Sequence, residues 1–208
     1  FTVIESEPLD KEVAIDPEML GKVFENLLEK KDRGDKGAFY TPREIVYFMC
    51  QESLINYLDS QMKKIIPKED IESFINQVKH ISHDDKSVNN IDISGNEFLI
   101  PQSCIKNANE IDNILSNIKV CDPAVGSGAF PLGMLNGIVS ARKLINTYLQ
   151  KNPSTYDLKY HAIANSIYGV DLDPGAVEIA KLRLWLSLIV EEETPTPLPN
   201  LEHKIMQG

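Results

Sequence analysis

The sequence has few cysteines, few basic residues and no long apolar run. Cys50, Cys104 and Cys121 are an odd number and form no CxxC pair, which argues against a zinc knot and for a reducing, cytoplasmic location. Cys121 lies in an apolar run, so we expect it to be a buried thiol. No stretch reaches the about 18 continuous apolar residues that a membrane helix needs, so we expect no membrane contact.

Basic residues are outnumbered by acidic ones, 21 against 31, which gives a net charge of −10. A surface that binds DNA phosphates is usually basic, because neutralising them releases counterions. If the parent protein handles nucleic acid, we expect most of its DNA-binding surface to lie outside this chain. The sequence begins with Phe1 rather than Met, so we also expect it to be a piece of a longer protein.

The spacing of apolar residues predicts an α-helical lobe over residues 1–117. One helix begins at the sequence TPRE, where Thr41 can cap and Pro42 fits the first turn. Its predicted buried stripe consists of Ile45, Phe48, Met49, Ile55, Leu58, Met62 and Ile65. Further helices are predicted at 68–80 and 103–117. The polar stretch within residues 82–102 predicts a surface loop or insertion.

From residue 118 the pattern changes to strand, glycine turn, helix, strand and helix, which is typical of a parallel α/β sheet. The predicted strands are IKVCD, SIYGVD and HKIMQG. The predicted helices are Ala129 to Lys151, Tyr156 to Ala164 and a largely buried helix that Asp173 and Pro174 begin. Gly133 and Gly137 should let the first helix pack closely on the sheet. We therefore predict that residues 118–208 are the truncated first half of a doubly wound, Rossmann-like sheet.

The sequence DPAVGSGAF, residues 122–130, forms the glycine turn. Gly126 and Gly128 allow the backbone to bend and to approach a ligand at a helix start. A dinucleotide site needs a third glycine, but position 131 is proline, which argues against NAD or FAD. Asp122 would repel a pyrophosphate and attract an ammonium group. The turn therefore indicates a nucleoside that bears a cation or amine, although a purely structural turn remains an alternative.

A second acid, Asp171, ends the next predicted strand, where a carboxylate typically binds both ribose hydroxyls. The alternative is that it only ends the strand. It lies far beyond the about 20 residues expected after such a turn, which indicates an inserted helix. For Asp173, helix capping is a sufficient explanation.

Three motifs together, GAFYTP, DPAVGSGAF and GVDLDPGAVEIAKLRL, resemble those of S-adenosylmethionine-dependent adenine-N6 DNA methyltransferases in which the amino-acid-binding motif comes first. LGKVFENLL at 20–28 is similar to large restriction–modification fusion proteins. The resemblance covers residues 17–65 and 118–208. It implies that Tyr40, Thr41 and Pro42 bind the methionine carboxylate, that Asp122 faces the amino group, that Ala124, Gly126 and Gly128 line the turn, and that Asp171 holds the ribose. For Thr41, helix capping alone is the alternative.

The sequence lacks the Pro-Pro-aromatic segment with which this family transfers the methyl group, since it contains no Pro-Pro pair. The resemblance therefore implies that this chain is part of a methyltransferase and is inactive alone. It also implies that the parent protein binds double-stranded DNA through parts outside this chain. His80 and His83 have no second ligand pair beside them, so we predict no metal site. A non-catalytic nucleoside-binding or scaffold module is the alternative, and a dinucleotide oxidoreductase is the third choice.

Overall fold

The structure is a computed structural model that describes residues 2–3, 13–14, 19–21, 23, 41–63, 65–82, 100–191 and 197–208. Its strands are β1 (Thr2–Val3), β2 (Val13–Ala14), β3 (Val120–Asp122), β4 (Ile167–Asp171) and β5 (Ile205–Gln207). Its helices are α1 (Arg43–Met62), α2 (Lys68–Ser82), α3 (Gln102–Lys106), α4 (Ala108–Asn117), α5 (Ala129–Tyr148), α6 (Thr155–Asn165) and α7 (Pro174–Ile189). The predicted loop at 82–102 falls largely on residues 83–99, which lie outside the described residues.

The chain forms two compact units, each assembled from separate segments. The sheet unit comprises Phe1–Pro42, Cys121–Leu132 and Tyr168–Gly208. The helical unit comprises Arg43–Val120 and Gly133–Ile167. The domain boundary expected between residues 117 and 118 stays a prediction.

The main sheet has three parallel strands in the order β3-β4-β5. β4 and β5 pair in register from Gly169 opposite Ile205 to Asp171 opposite Gln207. A short antiparallel pair, β1 and β2, is separate from this sheet. The observed strands agree with the three predicted ones, and helices combined with a small parallel sheet agree with the predicted α/β class. The doubly wound, Rossmann-like sheet stays a prediction.

Helix α7 begins and packs as the sequence predicts. The Asp173 carboxylate accepts hydrogen bonds from the backbone N–H groups of Gly175 at 2.7 Å and Ala176 at 3.3 Å, and Pro174 occupies the first turn. These bonds satisfy amides that have no partner inside the helix. Most of the helix is buried, including two basic residues, Lys181 and Arg183. The capping role of Asp173 is therefore confirmed.

Helix α1 buries only part of the predicted stripe: Ile55, Leu58 and Met62 are confirmed as buried, and the other predicted residues are not. Ile45, Phe48, Met49 and Ile65 are exposed, and the buried residues of the helix are Val46, Cys50, Leu54, Ile55, Leu58 and Met62. The cause lies on α5. A side chain at Gly133 would collide with Val46 and Cys50, and one at Gly137 would collide with Leu54. These glycines admit α1 rather than the sheet, which corrects the expectation for both.

A polar network joins α4 to α5 within the helical unit. The Asp112 carboxylate accepts a hydrogen bond from Arg142 Nε at 2.8 Å and another from Asn146 Nδ2 at 2.9 Å. All three side chains are largely shielded from solvent. Their mutual bonds offset the cost of burying them.

Two cysteines are buried and one is not. Cys50 and Cys104 are buried, and burial raises the pKa of the Cys104 thiol to about 11. Cys121 is exposed, contrary to expectation. It lies on β3, an outer strand in the order of the described sheet, so the apolar run around it is not covered on both sides. Among the described helices, none combines the length and apolar character needed to cross a membrane.

Candidate functional site

The glycine turn between β3 and α5 is tied to the neighbouring strand by its backbone. The Val125 N–H donates to the Val170 carbonyl of β4 at 2.9 Å, and the Gly128 N–H donates to the Val125 carbonyl at 2.9 Å. Gly126 and Gly128 have φ values of +51° and +86°. Glycine adopts these left-handed conformations without the steric cost that a Cβ imposes. The sequence therefore predicted both the turn and the residues that need it.

The two glycines face different surroundings. A Cβ at Gly128 would lie 3.0 Å from Ala180 Cβ and 3.1 Å from Ala180 Cα, so this glycine admits close packing of α7. A Cβ at Gly126 would meet nothing within 4 Å. The turn consequently has a packed side at Gly128 and an open side at Gly126.

The Asp171 carboxylate joins the end of β4 to the turn. Its Oδ2 accepts from the Gly126 N–H at 2.7 Å, and its Oδ1 accepts from the Asp173 N–H at 2.9 Å. A carboxylate has about four lone-pair sites, so each oxygen can accept one more hydrogen bond. The side chain is thus held in position by two amides while it keeps capacity for a ligand with two hydroxyls.

Asp122 carries an incompletely satisfied carboxylate. Its Oδ1 accepts from the Ala124 N–H at 3.0 Å, whereas its Oδ2 is buried and has no hydrogen-bond partner within the described part of the chain. Burial raises the pKa of Asp122 above its ordinary value of 3.8, the Ala124 hydrogen bond opposes this shift, and the nearby Asp171 charge adds to it. A positively charged donor would relieve both costs.

The remaining predicted site residues lie before α1. Thr41 is half-buried and Pro42 is exposed, and Tyr40 lies outside the described residues. Thr41 and Pro42 belong to the sheet unit, as do Asp122, Ala124, Gly126, Gly128 and Asp171. The sheet unit therefore contains every described member of the predicted site.

Three residues near the turn were not predicted. Leu172 follows Asp171 directly and is 82% exposed, more than any other large hydrophobic side chain that the structure describes. Arg183 is only 4% exposed, and its Nη1 donates to the Ser127 carbonyl at 2.7 Å and to Ser127 Oγ at 3.2 Å. Gly21 is buried against the same guanidinium. The sequence signal for Arg183 was a charged residue on a largely apolar helix, which Lys181 shares.

A metal centre is not indicated by the side chains that the structure describes. Among them, no three His, Cys, Asp or Glu residues are grouped so that they could hold a metal ion. The polar side chains at the turn are instead two carboxylates, those of Asp122 and Asp171, which suit an organic ligand with both a cation and hydroxyl groups.

Comparisons with known proteins point to one class. Residues 165–208, which include β4, α7 and β5, match the family described as Eco57I restriction-modification methylase. The whole chain is 33% identical, over 217 aligned residues, to a protein of Methanocaldococcus jannaschii whose name describes it as a type II restriction enzyme and methyltransferase. The match covers 100% of this chain and 17% of that protein, so the chain spans about a sixth of the length of the relative. Both similarities support a methyltransferase of a restriction–modification system.

Proposed function

We propose that this chain is the S-adenosylmethionine-binding portion of a site-specific DNA adenine-N6 methyltransferase from a restriction–modification system. The cofactor would lie on the open side of the glycine turn. Asp122, Ala124, Gly126 and Asp171 would contact it, together with the segment Tyr40, Thr41 and Pro42. Gly128 would shape the turn from its packed side. S-adenosylmethionine supplies an activated methyl group, and the residues of this chain bind and orient it.

The observation that carries the proposal is the buried Oδ2 of Asp122, which has no donor among the described residues. An unsatisfied buried acceptor costs roughly 1–3 kcal/mol, and more when it is charged. The α-ammonium group of S-adenosylmethionine is a cationic donor that would remove this cost. A pyrophosphate would instead add negative charge beside Asp122 and Asp171, which disfavours a dinucleotide.

The nucleoside half of the cofactor fits the surroundings of Asp171. Each carboxylate oxygen of Asp171 accepts one backbone amide, from Gly126 or Asp173, and can still accept one ribose hydroxyl. The exposed side chain of Leu172 stands next to that carboxylate in the chain. An adenine ring attached to the same ribose would cover this side chain and remove apolar surface from water.

The similarity to restriction–modification methylases supports DNA as the substrate, and the choice of adenine rests on the motif resemblance alone. Double-stranded DNA would be bound through other parts of the parent protein, because this chain carries a net charge of −10. The segment alone would be inactive, since its 208 residues contain no Pro-Pro-aromatic sequence. We propose that the parent protein acts in the cytoplasm.

The proposal is tested with the full-length parent protein, its Asp122→Asn and Asp171→Ala variants, and the cofactors S-adenosylmethionine and NADH. Calorimetric titration should show binding of S-adenosylmethionine and none of NADH. A ligand at 100 times its dissociation constant should stabilise the fold by about 2.7 kcal/mol, and each variant should lose most of that gain. DNA incubated with the wild-type protein and cofactor should then contain N6-methyladenine, detected by mass spectrometry of its nucleosides.

The outcomes separate the parts of the proposal. Binding of S-adenosylmethionine without methylation of any base would favour the non-catalytic module. Methylcytosine in place of N6-methyladenine would refute the assigned base but keep the cofactor. Failure of the wild-type protein to bind S-adenosylmethionine would refute the proposed function.

A further inference from the structure

One peptide group of the glycine turn is free to rotate, and a hydrogen bond from the buried guanidinium of Arg183 can fix it. Ser127 lies between two glycines, and a peptide group next to glycine can rotate at little cost. The same peptide must keep one orientation if the turn is to keep the shape in which Gly126 bonds to Asp171 and leaves its open side to a ligand. An anchor on the Ser127 carbonyl would provide that orientation.

Arg183 supplies such an anchor from α7. Its Nη1 donates to the Ser127 carbonyl at 2.7 Å, while the N–H of the same peptide, on Gly128, donates to the Val125 carbonyl at 2.9 Å. Both polar ends of the Ser127–Gly128 peptide are therefore held. Arg183 is 4% exposed, and hydrogen bonds from a charged donor are strong in such shielded surroundings.

Gly21 closes the other side of the guanidinium. A Cβ at Gly21 would overlap Arg183 Nη1, and it would lie 2.8 Å from Arg183 Cζ and 3.1 Å from Ser127 Oγ. Residue 21 must therefore be glycine if the guanidinium is to remain at Ser127. This contact gives a physical role to the LGKVFENLL segment, residues 20–28. The structure describes Leu20, Gly21 and Val23 of that segment.

We propose that Arg183 is a positioning residue for the cofactor-binding turn, and that Gly21 is required because it leaves room for the guanidinium. The inference rests on the proposed binding of S-adenosylmethionine and identifies what fixes the part of the site that faces the amino-acid half of the cofactor. The nucleoside half depends on Asp171 and Leu172. Asp171 bonds to the turn at the Gly126 N–H, which lies two peptide groups before the Ser127–Gly128 peptide that Arg183 holds.

The test compares two ligands in the full-length protein by isothermal titration calorimetry. S-adenosylhomocysteine contains the amino-acid half, and 5′-methylthioadenosine lacks it. Arg183→Met should weaken S-adenosylhomocysteine by about tenfold, the equivalent of one charged hydrogen bond. It should leave 5′-methylthioadenosine within about twofold of wild type, the usual limit for uncoupled sites. Arg183→Lys, which keeps the charge and one donor, should recover part of the loss.

Gly21→Ala makes the test specific. The added methyl group should displace the guanidinium and reproduce the loss of affinity for S-adenosylhomocysteine. In the Arg183→Met background the same change should have little further effect, because the guanidinium with which it collides is gone and only the looser approach to Ser127 Oγ, at 3.1 Å, remains. Lys181→Met is the matched control: Lys181 is a buried base on the same helix, but it bonds to Glu178 at 2.9 Å rather than to the turn. This control should bind both ligands as wild type does.

If Arg183→Met weakens the binding of both ligands equally and also lowers the melting temperature, the proposal is overturned in favour of a purely structural role. Additive losses from Gly21→Ala and Arg183→Met would also overturn it. If Arg183→Met does not fold, Gly21→Ala and Arg183→Lys decide by the same comparison of ligands. Failure of the wild-type protein to bind S-adenosylhomocysteine and S-adenosylmethionine would instead refute the proposed function and this inference with it.

Discussion

At the scale of a single residue, the charge of Asp122 favours binding of a cationic ligand but destabilises the folded protein without that ligand. Its carboxylate is half-buried, and Oδ2 has no hydrogen-bond partner among the described residues. The nearby charge of Asp171 raises the pKa of Asp122 further. A ligand ammonium would balance this charge, but the protein without ligand bears the cost alone. Such a conflict between fold and site is typical of binding residues, and it has a measurable pH dependence.

We expect Asp122→Asn to be more stable than wild type at pH 7 when no cofactor is present. The folded-state pKa of Asp122 is raised above its ordinary value of 3.8, so the folded protein binds this proton more tightly than the unfolded chain does. The stability of wild type therefore falls as the pH rises from 3.8 through that raised pKa, and the loss is complete above it. Asparagine has no proton to lose in this range of pH, so it never becomes a buried charge.

Because solvent screens a half-exposed carboxylate, the gain should be about 1 kcal/mol, or a rise in melting temperature of roughly 2–4 °C. Melting curves of both proteins between pH 4 and pH 8 measure it, and the difference should shrink toward the acid end. Glu52→Gln, which removes a charge from an exposed position on α1, should change the melting temperature much less. A less stable Asp122→Asn at pH 7 would show that the Ala124 hydrogen bond dominates instead.

At the scale of the element, the glycine turn has separate sides for packing and for binding. Gly128 packs against Ala180, whereas Gly126 faces open space. We expect Gly128→Ala to lower stability by more than the roughly 1–3 kcal/mol of a strained backbone, since its methyl group also collides with α7. Gly126→Ala should cost only about 1–2 kcal/mol, because strain alone opposes it.

The affinities of these two variants should differ in the opposite sense. The methyl group of Gly126→Ala would enter the space proposed for the cofactor and should abolish most binding of S-adenosylmethionine, as measured by calorimetry on the folded variant. Gly128→Ala should bind with less change at temperatures where it remains folded. Wild-type affinity in Gly126→Ala would mean that the open side of the turn is not where the cofactor lies.

Elements with local signals were predictable, and their contacts were not. The glycine pair, the Asp-Pro start of α7 and the acid that ends β4 act within a few residues, so the sequence identified strand, turn and helix correctly. The buried face of α1 depends on where Gly133 and Gly137 of α5 lie, which only the folded chain determines. Apolar spacing therefore chose Phe48 and Met49 in place of Val46 and Cys50.

The same limit applies to the candidate site. Asp122, Gly126, Gly128 and Asp171 stand at recognisable strand and turn positions, and the structure joins Gly126 to Asp171 by a direct hydrogen bond. Arg183 carries no such positional signal, because its partner Ser127 belongs to another segment of the sheet unit. A buried charge on an apolar helix is thus a hint whose meaning depends on tertiary structure.

At the scale of the whole molecule, the two compact units are built from interleaved segments, and the described site residues all belong to the sheet unit. Cofactor binding should therefore act first on segments that are distant in the sequence but share this unit. We expect S-adenosylmethionine to slow amide hydrogen exchange in Cys121–Leu132 and Tyr168–Gly208, with the largest change around Ala124 and Gly126. Exchange in α1 and α2 of the helical unit should change much less.

Hydrogen exchange with mass spectrometry on the full-length protein measures this pattern, with Asp171→Ala as the variant that should lose the protection. The physical reason is that a ligand lowers local opening only where opening breaks its contacts, whereas a gain in global stability slows exchange in every segment that exchanges through complete unfolding. Protection confined to the sheet unit would support binding at the glycine turn. Equal protection of both units would mean that the units open together, and protection restricted to the helical unit would contradict the proposed site.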